Sequence, residues 1–413
     1  MVVVISDLHL CDETVGKHNV NPEEVQMVFK DLAASPFEPE EIVLVLLGDI
    51  FDINRSTLWM EVPEAERPWG ADRNKAEAHA SDVLEGIIER NAGVLEALRE
   101  LRSFFGHIRG KVETVYVPGN HDRLCSLFPS LRKRVRLVLG IEGGEEDFLP
   151  FYDNERYGIF ATHGHECDVF NFEGALEAAP IGDLITAEFI VRLPPTIMGH
   201  VEGMELSSEE KEHLRRNLQE IDDVRPYSAI FDWLLYQVKA NARLRKSIEV
   251  AAEELASHFE TLTYVQEWYS KHDRWGFDEA DKIQLIPRVL TSLRLDVASS
   301  LARFASKILA PFRLPSLESV EEALLRAAEQ FLQTHPSYEF YVAGHTHNPC
   351  SVPVGMGSGR GELYVNTGTW RRRHMKARDG SFVSVKSISY AAFYSRDEAW
   401  GPRFEMWTGS LKD

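Results

Sequence analysis

Five short apolar runs, each followed at once by a cluster of carboxylates, carboxamides or imidazoles, constrain this chain more than any other feature. Val2–Ile5 leads into Asp7-Leu8-His9, Ile42–Leu47 into Gly48-Asp49-Ile50-Phe51-Asp52, and Val112–Val117 into Gly119-Asn120-His121-Asp122. Residues 158–161 lead into His163-Gly164-His165, and Phe340–Ala343 into Gly344-His345-Thr346-His347. Runs of four to six apolar residues without alternation are the pattern of strands buried on both faces. Helical periodicity separates the first three, at 22–34 and at 74–105, where Val83, Ile87, Val94, Leu98 and Leu101 recur at spacings of three, four and seven. Alternating strands and helices predict an α/β sheet, and in such sheets sites assemble at the carboxyl ends of the strands. Five motifs at five strand ends would therefore meet in one crevice.

At about residue 166 the alternation stops. From there to about 330 long helical patterns dominate, opened by a capping box at Ser207 and Glu210 and punctuated by Pro226, Pro287, Pro311 and Pro315. The expectation is a helical cap over 166–330, inserted into a catalytic domain made of 1–165 and 331–413. Past residue 362 strand-like sequence returns, with a short run at 363–365 and Asp379-Gly380 as a hairpin turn between 371–378 and 381–389.

With 413 residues, 44% apolar and 27% charged, the chain has the composition of an ordinary globular protein. Lys and Arg total 45 against 65 Asp and Glu, a formal charge of −20 that repels a polyanion unless basic groups gather locally. Nucleic acid is thus a disfavoured partner. The opening MVVVISDLHL has no basic segment or small-residue cleavage site, and the most apolar stretch, 181–198, is interrupted by Asp183, Glu188, Arg192 and Pro194-Pro195. A cytoplasmic location is expected. The four cysteines, Cys11, Cys125, Cys167 and Cys350, form no CxxC pair, but each trails a site motif by two or three residues, which predicts that all four surround the crevice.

Oxygen and nitrogen donors without sulfur, gathered at adjoining strand ends, are the ligand chemistry of Mn, Fe or Zn in a two-ion site. Two such cations can hold a bridging hydroxide as nucleophile, polarise phosphoryl oxygens and stabilise an in-line displacement. His121, adjacent to Asn120 yet free of metal, is placed to protonate a departing ester oxygen. Asp122 reads as a hydrogen-bond acceptor within its loop.

In this order, D-x-H, G-D-x-x-D, G-N-H-D, H-G-H and G-H-T-H, the motifs resemble those of the calcineurin-like metallophosphoesterase superfamily. The resemblance implies a four-layer α/β/β/α sandwich, with a large helical cap inserted before the last motif, and a metal-dependent phosphoric ester hydrolase. It implies that Asp7, His9 and His347 bind one divalent ion, that Asn120, His163 and His345 bind a second, and that Asp49 bridges both. Manganese is the first choice of metal, with iron or zinc as alternatives. The resemblance further pairs His121 with Asp52 as the catalytic dyad. Relatives with that dyad place an arginine directly after the second aspartate, whereas here Ile53 follows and the nearest arginine is Arg55. Asp7 to Cys11 and Gly48 to Asp52, with a helical insertion before G-H-T-H, are also similar to the UDP-2,3-diacylglucosamine hydrolase branch. That branch carries arginine at the position of His121 and H-G-D in place of His163-Gly164-His165, so the carry-over ends at a phosphoric ester or anhydride.

His165, Arg123 and Arg371 are the candidate substrate contacts. Arg371 opens a basic run with Arg372, Arg373, His374, Lys376 and Arg378, where an anionic substrate would welcome arginine. A second basic and amphipathic stretch at 282–313 admits contact with anionic lipid or an amphiphilic phosphate ester. Trp59, Met60 and Trp69 lie in a loop that could line the pocket or anchor on the cap. The expected reaction is hydrolysis of a phosphodiester or pyrophosphate bond in a small or amphiphilic substrate. A nuclease of the same superfamily, or an inactive scaffold that binds partners through the cap, are the alternatives.

Overall fold

A four-residue strand reading Val-Val-Val-Ile must be covered on both faces, and that requirement sets the layering of the whole molecule. The computed structural model describes residues 1–17, 20–34, 39–106, 108–225, 229–238, 241–272, 319–356, 361–398 and 403–409. In chain order the strands are β1 (Val2–Ile5), β2 (Ile42–Leu47), β3 (Val112–Val117), β4 (Phe151–Asn154), β5 (Ile159–Thr162), β6 (Val224–Arg225) and β7 (Phe340–Ala343). They continue with β8 (Cys350–Gly355), β9 (Glu362–Asn366), β10 (Arg372–Lys376), β11 (Phe382–Lys386), β12 (Ile388–Phe393) and β13 (Phe404–Gly409). One sheet has the order β13-β12-β1-β2-β3, a second β4-β5-β7-β9-β8, and a small third β11-β10-β6. Within the two large sheets the strands that carry site motifs are parallel, β1 to β2 to β3 and β5 to β7 to β9.

Strand alternation assigns each face its partner. Val2 and Val4 of β1, with Val43 and Val45 of β2, meet Ile159, Ala161, Phe340 and Val342 of the second sheet in a core between the sheets. Val3, Ile5, Leu44 and Leu46 point the other way, into a core with the helices Pro22–Ala33, Arg73–Arg90 and Ala92–Arg99. The outer face of the second sheet, through Tyr341, Ala343 and Tyr364, packs on Leu324, Ala328 and Leu332 of helix Val320–Thr334. Helix, sheet, sheet and helix make the expected α/β/β/α sandwich.

Three local expectations differ from the outcome. The helix expected over 74–105 breaks at Asn91, whose side-chain amide donates to Ile87 O and to Cys11 O, and again at Glu100. Helix Val320–Thr334 crosses the boundary drawn at 330 and belongs to the sandwich, since its apolar stripe covers β7 and β9. The segment 381–389 divides at Ser387 between β11 and β12, which lie in different sheets. The Asp379-Gly380 turn itself forms, with Gly380 at φ +84° joining β10 to β11.

Between Ile181 and His272 the described elements are helices, β6 apart, joined by short turns. These helices have a core of their own, around Leu193, Ile197, Leu218, Trp233, Ile248 and Leu255. Glu188 ties them to the loop after β2, because its buried carboxylate takes Arg67 at 2.7 Å, Arg192 at 2.7 Å and His258 at 3.0 Å. Trp59 and Trp69 are buried in the adjoining core and anchor that loop, Trp59 donating its indole N–H to Ile53 O. No described helix is long and apolar enough to cross a membrane. The basic stretch at 282–313 lies outside the described residues.

Candidate metal centre

Every motif expected at a strand end is found there, and the loops are tied to one another by backbone hydrogen bonds. Asp7 N donates to Gly48 O, His9 N to Asp49 O, Asp52 N to Leu10 O and Gly344 N to His163 O. The motif glycines allow this closeness. A Cβ at Gly48 would collide with the His163 ring, one at Gly119 with the Asp49 carboxylate and one at Gly344 with Asp7.

Six non-glycine residues among those described adopt positive φ, and five of them are expected ligands: Asp7 (55°), His9 (48°), Asp49 (53°), His345 (66°) and His347 (59°). Each such residue costs on the order of 1–3 kcal/mol, strain that persists only where the surroundings enforce it. The left-handed backbone turns these side chains inward. Asp7, His9, Asp49 and His347 bring one donor atom each within 4.8 Å of the others, and so do Asp49, His163 and His345. His347 Nε2 stands 3.1 Å from Asp7 Oδ1 and 3.0 Å from His9 Nε2, while Asp49 Oδ2 is 3.6 Å from His9 Nε2 and 3.3 Å from His163 Nε2. Asp49 belongs to both groups.

The donor atoms fit divalent ions. Asp7 Oδ1, Asn120 Oδ1 and His163 Nε2 are buried without a hydrogen-bond partner, each an orphan that a cation would satisfy. Other atoms of the same side chains are held by the protein, as second partners of metal ligands typically are. His163 Nδ1 donates to Leu47 O at 2.9 Å, His9 Nδ1 to Asp52 Oδ2 at 3.3 Å and His345 Nε2 to Asp168 Oδ2 at 2.9 Å. Asn120 Nδ2 donates to Asn171 Oδ1 at 3.2 Å, and Asn171 Nδ2 in turn to Asp168 Oδ2 at 2.8 Å. Asn171 thereby fixes which end of the Asn120 amide faces the site. Asn171→Ala is expected to weaken metal binding by about 10- to 100-fold, read from metal titrations of the purified chain; unchanged affinity would remove Asn171 from the centre.

Beside the centre His121 Nδ1 donates to Asp52 Oδ1 at 2.7 Å. Burial disfavours the His121 imidazolium, but the Asp52 and Asp49 carboxylates outweigh it and push the pKa up to about 10. His163 reaches about 10 for the same reason, burial opposing and Asp49 prevailing. Burial likewise works against ionised Asp49 and Asp52, yet the facing imidazoles hold both well below the usual carboxylate range. Asp122 accepts from the backbone N–H groups of Phe51, Ile50 and Gly119, the loop-acceptor position expected for it, and burial lifts it to about 7.

The candidate substrate contacts fall differently. His165 lies at the rim, its ring 5.5 Å from that of His163, and burial lowers its pKa to about 4. Arg123 is buried, with Asp183 at 2.9 Å and the carbonyls of Leu176 and Pro68 taking its remaining arms. Arg371 is also buried, Nη1 on Asp222 at 2.6 Å and Nε on Asp223 at 3.0 Å, with Asp52 Oδ2 3.7 Å away. Both arginines, expected to meet substrate, instead fasten the helical insertion to the strand ends, because a buried guanidinium requires carboxylate or carbonyl partners. Arg55 is buried too, its Nε 3.5 Å from Asp222 Oδ2. The cysteines divide: Cys125 packs in the core with the first helix layer, Cys11 donates to Gly16 O, and Cys167 and Cys350 pack in the outer layer of the second sheet. Cys11 and Cys125 thus lie within reach of the Asp52 and Asp122 charges, while Cys167 and Cys350 belong to the outer face of the second sheet.

Sequence reasoning missed Asp168, Asn171 and Arg225, and named Arg373 only as part of the basic run. Arg225 Nη2 lies 3.2 Å from His347 Nδ1, and Arg373 Nη1 donates to His347 O at 2.9 Å. Nothing local marks Asp168, Asn171 or Arg225, because each acquires its partner through contacts made only in the fold.

Residues 1–179 match the family model described as calcineurin-like phosphoesterase. This part of the chain is similar to the calcineurin-like phosphoesterase family. The match covers β1 to β5 and four of the five motifs, Asp7 through His165. No curated protein matches the chain. The family hydrolyses phosphoesters with divalent metals, generally two, and the clusters around Asp49 are candidate ligand groups for such ions.

Proposed function

We propose that this phosphoesterase hydrolyses a phosphodiester or pyrophosphate bond in a small or amphiphilic substrate, with the helices between 181 and 272 as a cap. Asp7, His9 and His347 would hold one ion, Asn120, His163 and His345 the other, with Asp49 between them. The observation that carries the reading is the Asp49 carboxylate, which lies in both donor clusters and is presented by a left-handed backbone. Bound divalent ions supply positive charge to the phosphoryl oxygens and make a water nucleophilic near neutral pH. Manganese, iron and zinc all suit oxygen and nitrogen donors, and manganese is the first to test.

The chain's own groups do the rest. As the water oxygen bonds to phosphorus and the bond to the leaving oxygen breaks, His121 delivers its proton to that leaving oxygen. Asp52 holds the ring through Nδ1, which leaves Nε2 to point at the ester. Arg371, beside Asp52 and clamped by Asp222 and Asp223, keeps that carboxylate in place.

The raised pKa of His163 has a consequence for loading. An imidazole with pKa near 10 carries a proton at neutral pH, and an ion taking Nε2 must displace it. Metal affinity is therefore expected to rise with pH, by up to about tenfold per pH unit for each imidazolium displaced, until the pH reaches the His163 value. Calorimetry in buffers of different protonation enthalpy reads the released protons, and pH-independent affinity would contradict it. The reaction itself is tested by hydrolysis of bis-p-nitrophenyl phosphate and p-nitrophenyl phosphate with manganese-reconstituted protein. Diester cleavage that vanishes on chelation and returns with manganese is expected; silence on both esters with two ions bound would turn attention to the scaffold alternative.

A further inference from the structure

We propose that Asp168 governs one of the two ions alone, the one expected at Asn120, His163 and His345, by positioning two of its three ligands from outside the strand-end motifs. This deepens the phosphoesterase reading and rests on its two-ion centre. Oδ2 of Asp168 accepts from His345 Nε2 at 2.9 Å and from Asn171 Nδ2 at 2.8 Å, and Asn171 Oδ1 accepts from Asn120 Nδ2 at 3.2 Å. One carboxylate oxygen thus reaches one ligand directly and a second through a single amide.

Each bond settles which atom is left for the ion. A neutral imidazole whose hydrogen is held on Nε2 keeps its lone pair on Nδ1, so His345 is fixed as a ligand through Nδ1. A carboxamide engaged at Nδ2 turns Oδ1 the other way, and Oδ1 of Asn120 is a buried atom without a partner. Loss of the Asp168 carboxylate frees both side chains at once. The His345 ring can change tautomer, and the Asn171 amide, no longer tied at Nδ2, can turn its own donor toward Asn120.

The remaining ligands are held by other groups. His163 Nδ1 donates to Leu47 O and His9 Nδ1 to Asp52 Oδ2, Asp7 Oδ2 accepts from Ser6 Oγ, and Asp49 Oδ1 accepts from the backbone N–H of His121. The ion expected at Asp7, His9 and His347 therefore draws on partners of its own.

Asp168 is itself held in place. It is buried, its Oδ1 accepts the N–H of Phe170 at 3.0 Å, and its own N–H donates to His165 O at 2.9 Å. A Cβ at Gly182 would collide with Asn171 Oδ1, so glycine there leaves room for the amide. Two residues past Asn171, the buried Glu173 carboxylate accepts from Trp268 Nε1 and from Lys271 Nζ at 2.8 Å, which ties the segment to helix Thr263–His272. The contacts that place this ion's ligands are thereby anchored in the helices between 181 and 272.

The test titrates wild type, Asp168→Ala and Asp168→Asn with manganese, following stepwise binding by calorimetry and using electron paramagnetic resonance to tell a coupled pair of ions from a single one. Wild type is expected to bind two ions and to give the coupled signal. In Asp168→Ala one ion should bind as in wild type and the other about 10- to 100-fold more weakly, so that the isolated-ion signal persists where wild type is already coupled. Asp168→Asn keeps an acceptor without the charge, folds without a cavity, and should fall between. Equal weakening of both ions would reduce Asp168 to a support of the fold, and unchanged affinity for both would remove it from the centre; either result overturns the proposal. A crystal structure of Asp168→Ala at limiting manganese should show the retained ion at Asp7, His9 and His347, and an ion at Asn120, His163 and His345 instead would overturn it as well. Hydrolysis is read separately. Selective loss of one ion in the variants, with no ester cleaved by wild type, would overturn the phosphoesterase reading and leave Asp168 its role, whereas one ion or none in wild type overturns both.

Discussion

Asp49→Ala is expected to lower kcat/KM by more than about a thousandfold and to remove metal from the chain, the largest effect of any single substitution here. The reason is that three interactions converge on one carboxylate. Oδ2 lies 3.6 Å from His9 Nε2 and 3.3 Å from His163 Nε2, and Oδ1 accepts the backbone N–H of His121 at 2.9 Å. Removing it deletes the one donor common to both clusters among the described residues and loosens the loop that carries His121. Asp49→Asn separates the two consequences, since asparagine tolerates the left-handed backbone at φ 53° and keeps an acceptor for His121 while losing the negative charge. Its metal content should fall with the chain still folded, read by metal analysis alongside circular dichroism. Retained activity in Asp49→Asn would mean that the carboxylate does not join the ions.

His121→Ala comes next, with an expected loss in kcat of about 10²- to 10⁴-fold on esters with an alkoxide leaving group. A proton donor matters most when the departing oxygen is basic, so p-nitrophenyl esters, whose leaving group is stable as an anion, should lose far less. The dependence of the effect on the leaving group is the signature of a general acid, and a structural role would depress all substrates alike. Asp52→Asn should follow the same trend, because the carboxylate at 2.7 Å both orients the ring and keeps it protonated. Equal losses on alkyl and p-nitrophenyl esters would assign His121 to substrate binding or to loop structure.

The strands and their motifs were legible because the signal is local. An uncharged run such as Ile42–Leu47 followed by Gly-Asp reads as a buried strand and its terminal loop without knowledge of any partner. The same holds for the ligand set, since each ligand follows its own strand within a few residues. What could not be read depends on pairings across long stretches of sequence. Arg371 and Arg373 are near neighbours in one basic run, yet Arg371 is buried against Asp222 and Asp223 while Arg373 reaches His347, a division set by the register of β10 against β6. Asn171 sits 51 residues from Asn120, and only the fold makes it the group that orients that amide. Helix Val320–Thr334 has an apolar stripe that fits a cap as well as a sandwich, and β7 and β9 decide the matter.

The segment between β5 and β7 contributes to the candidate site as well. Its first turn reaches one donor cluster through Asp168 and Asn171, and the segment leading into β6 reaches the other through Asp222, Asp223 and Arg225. The two donor clusters are thus held from both sides by residues outside the strand-end motifs.

Counting the ions bound per chain after manganese loading and exhaustive dialysis, in wild type and in Asp49→Asn, tests the central claim most directly. Two ions in wild type and a clear loss in the variant is the predicted result. One ion or none in wild type, or two in both proteins, would contradict a dinuclear centre built around Asp49.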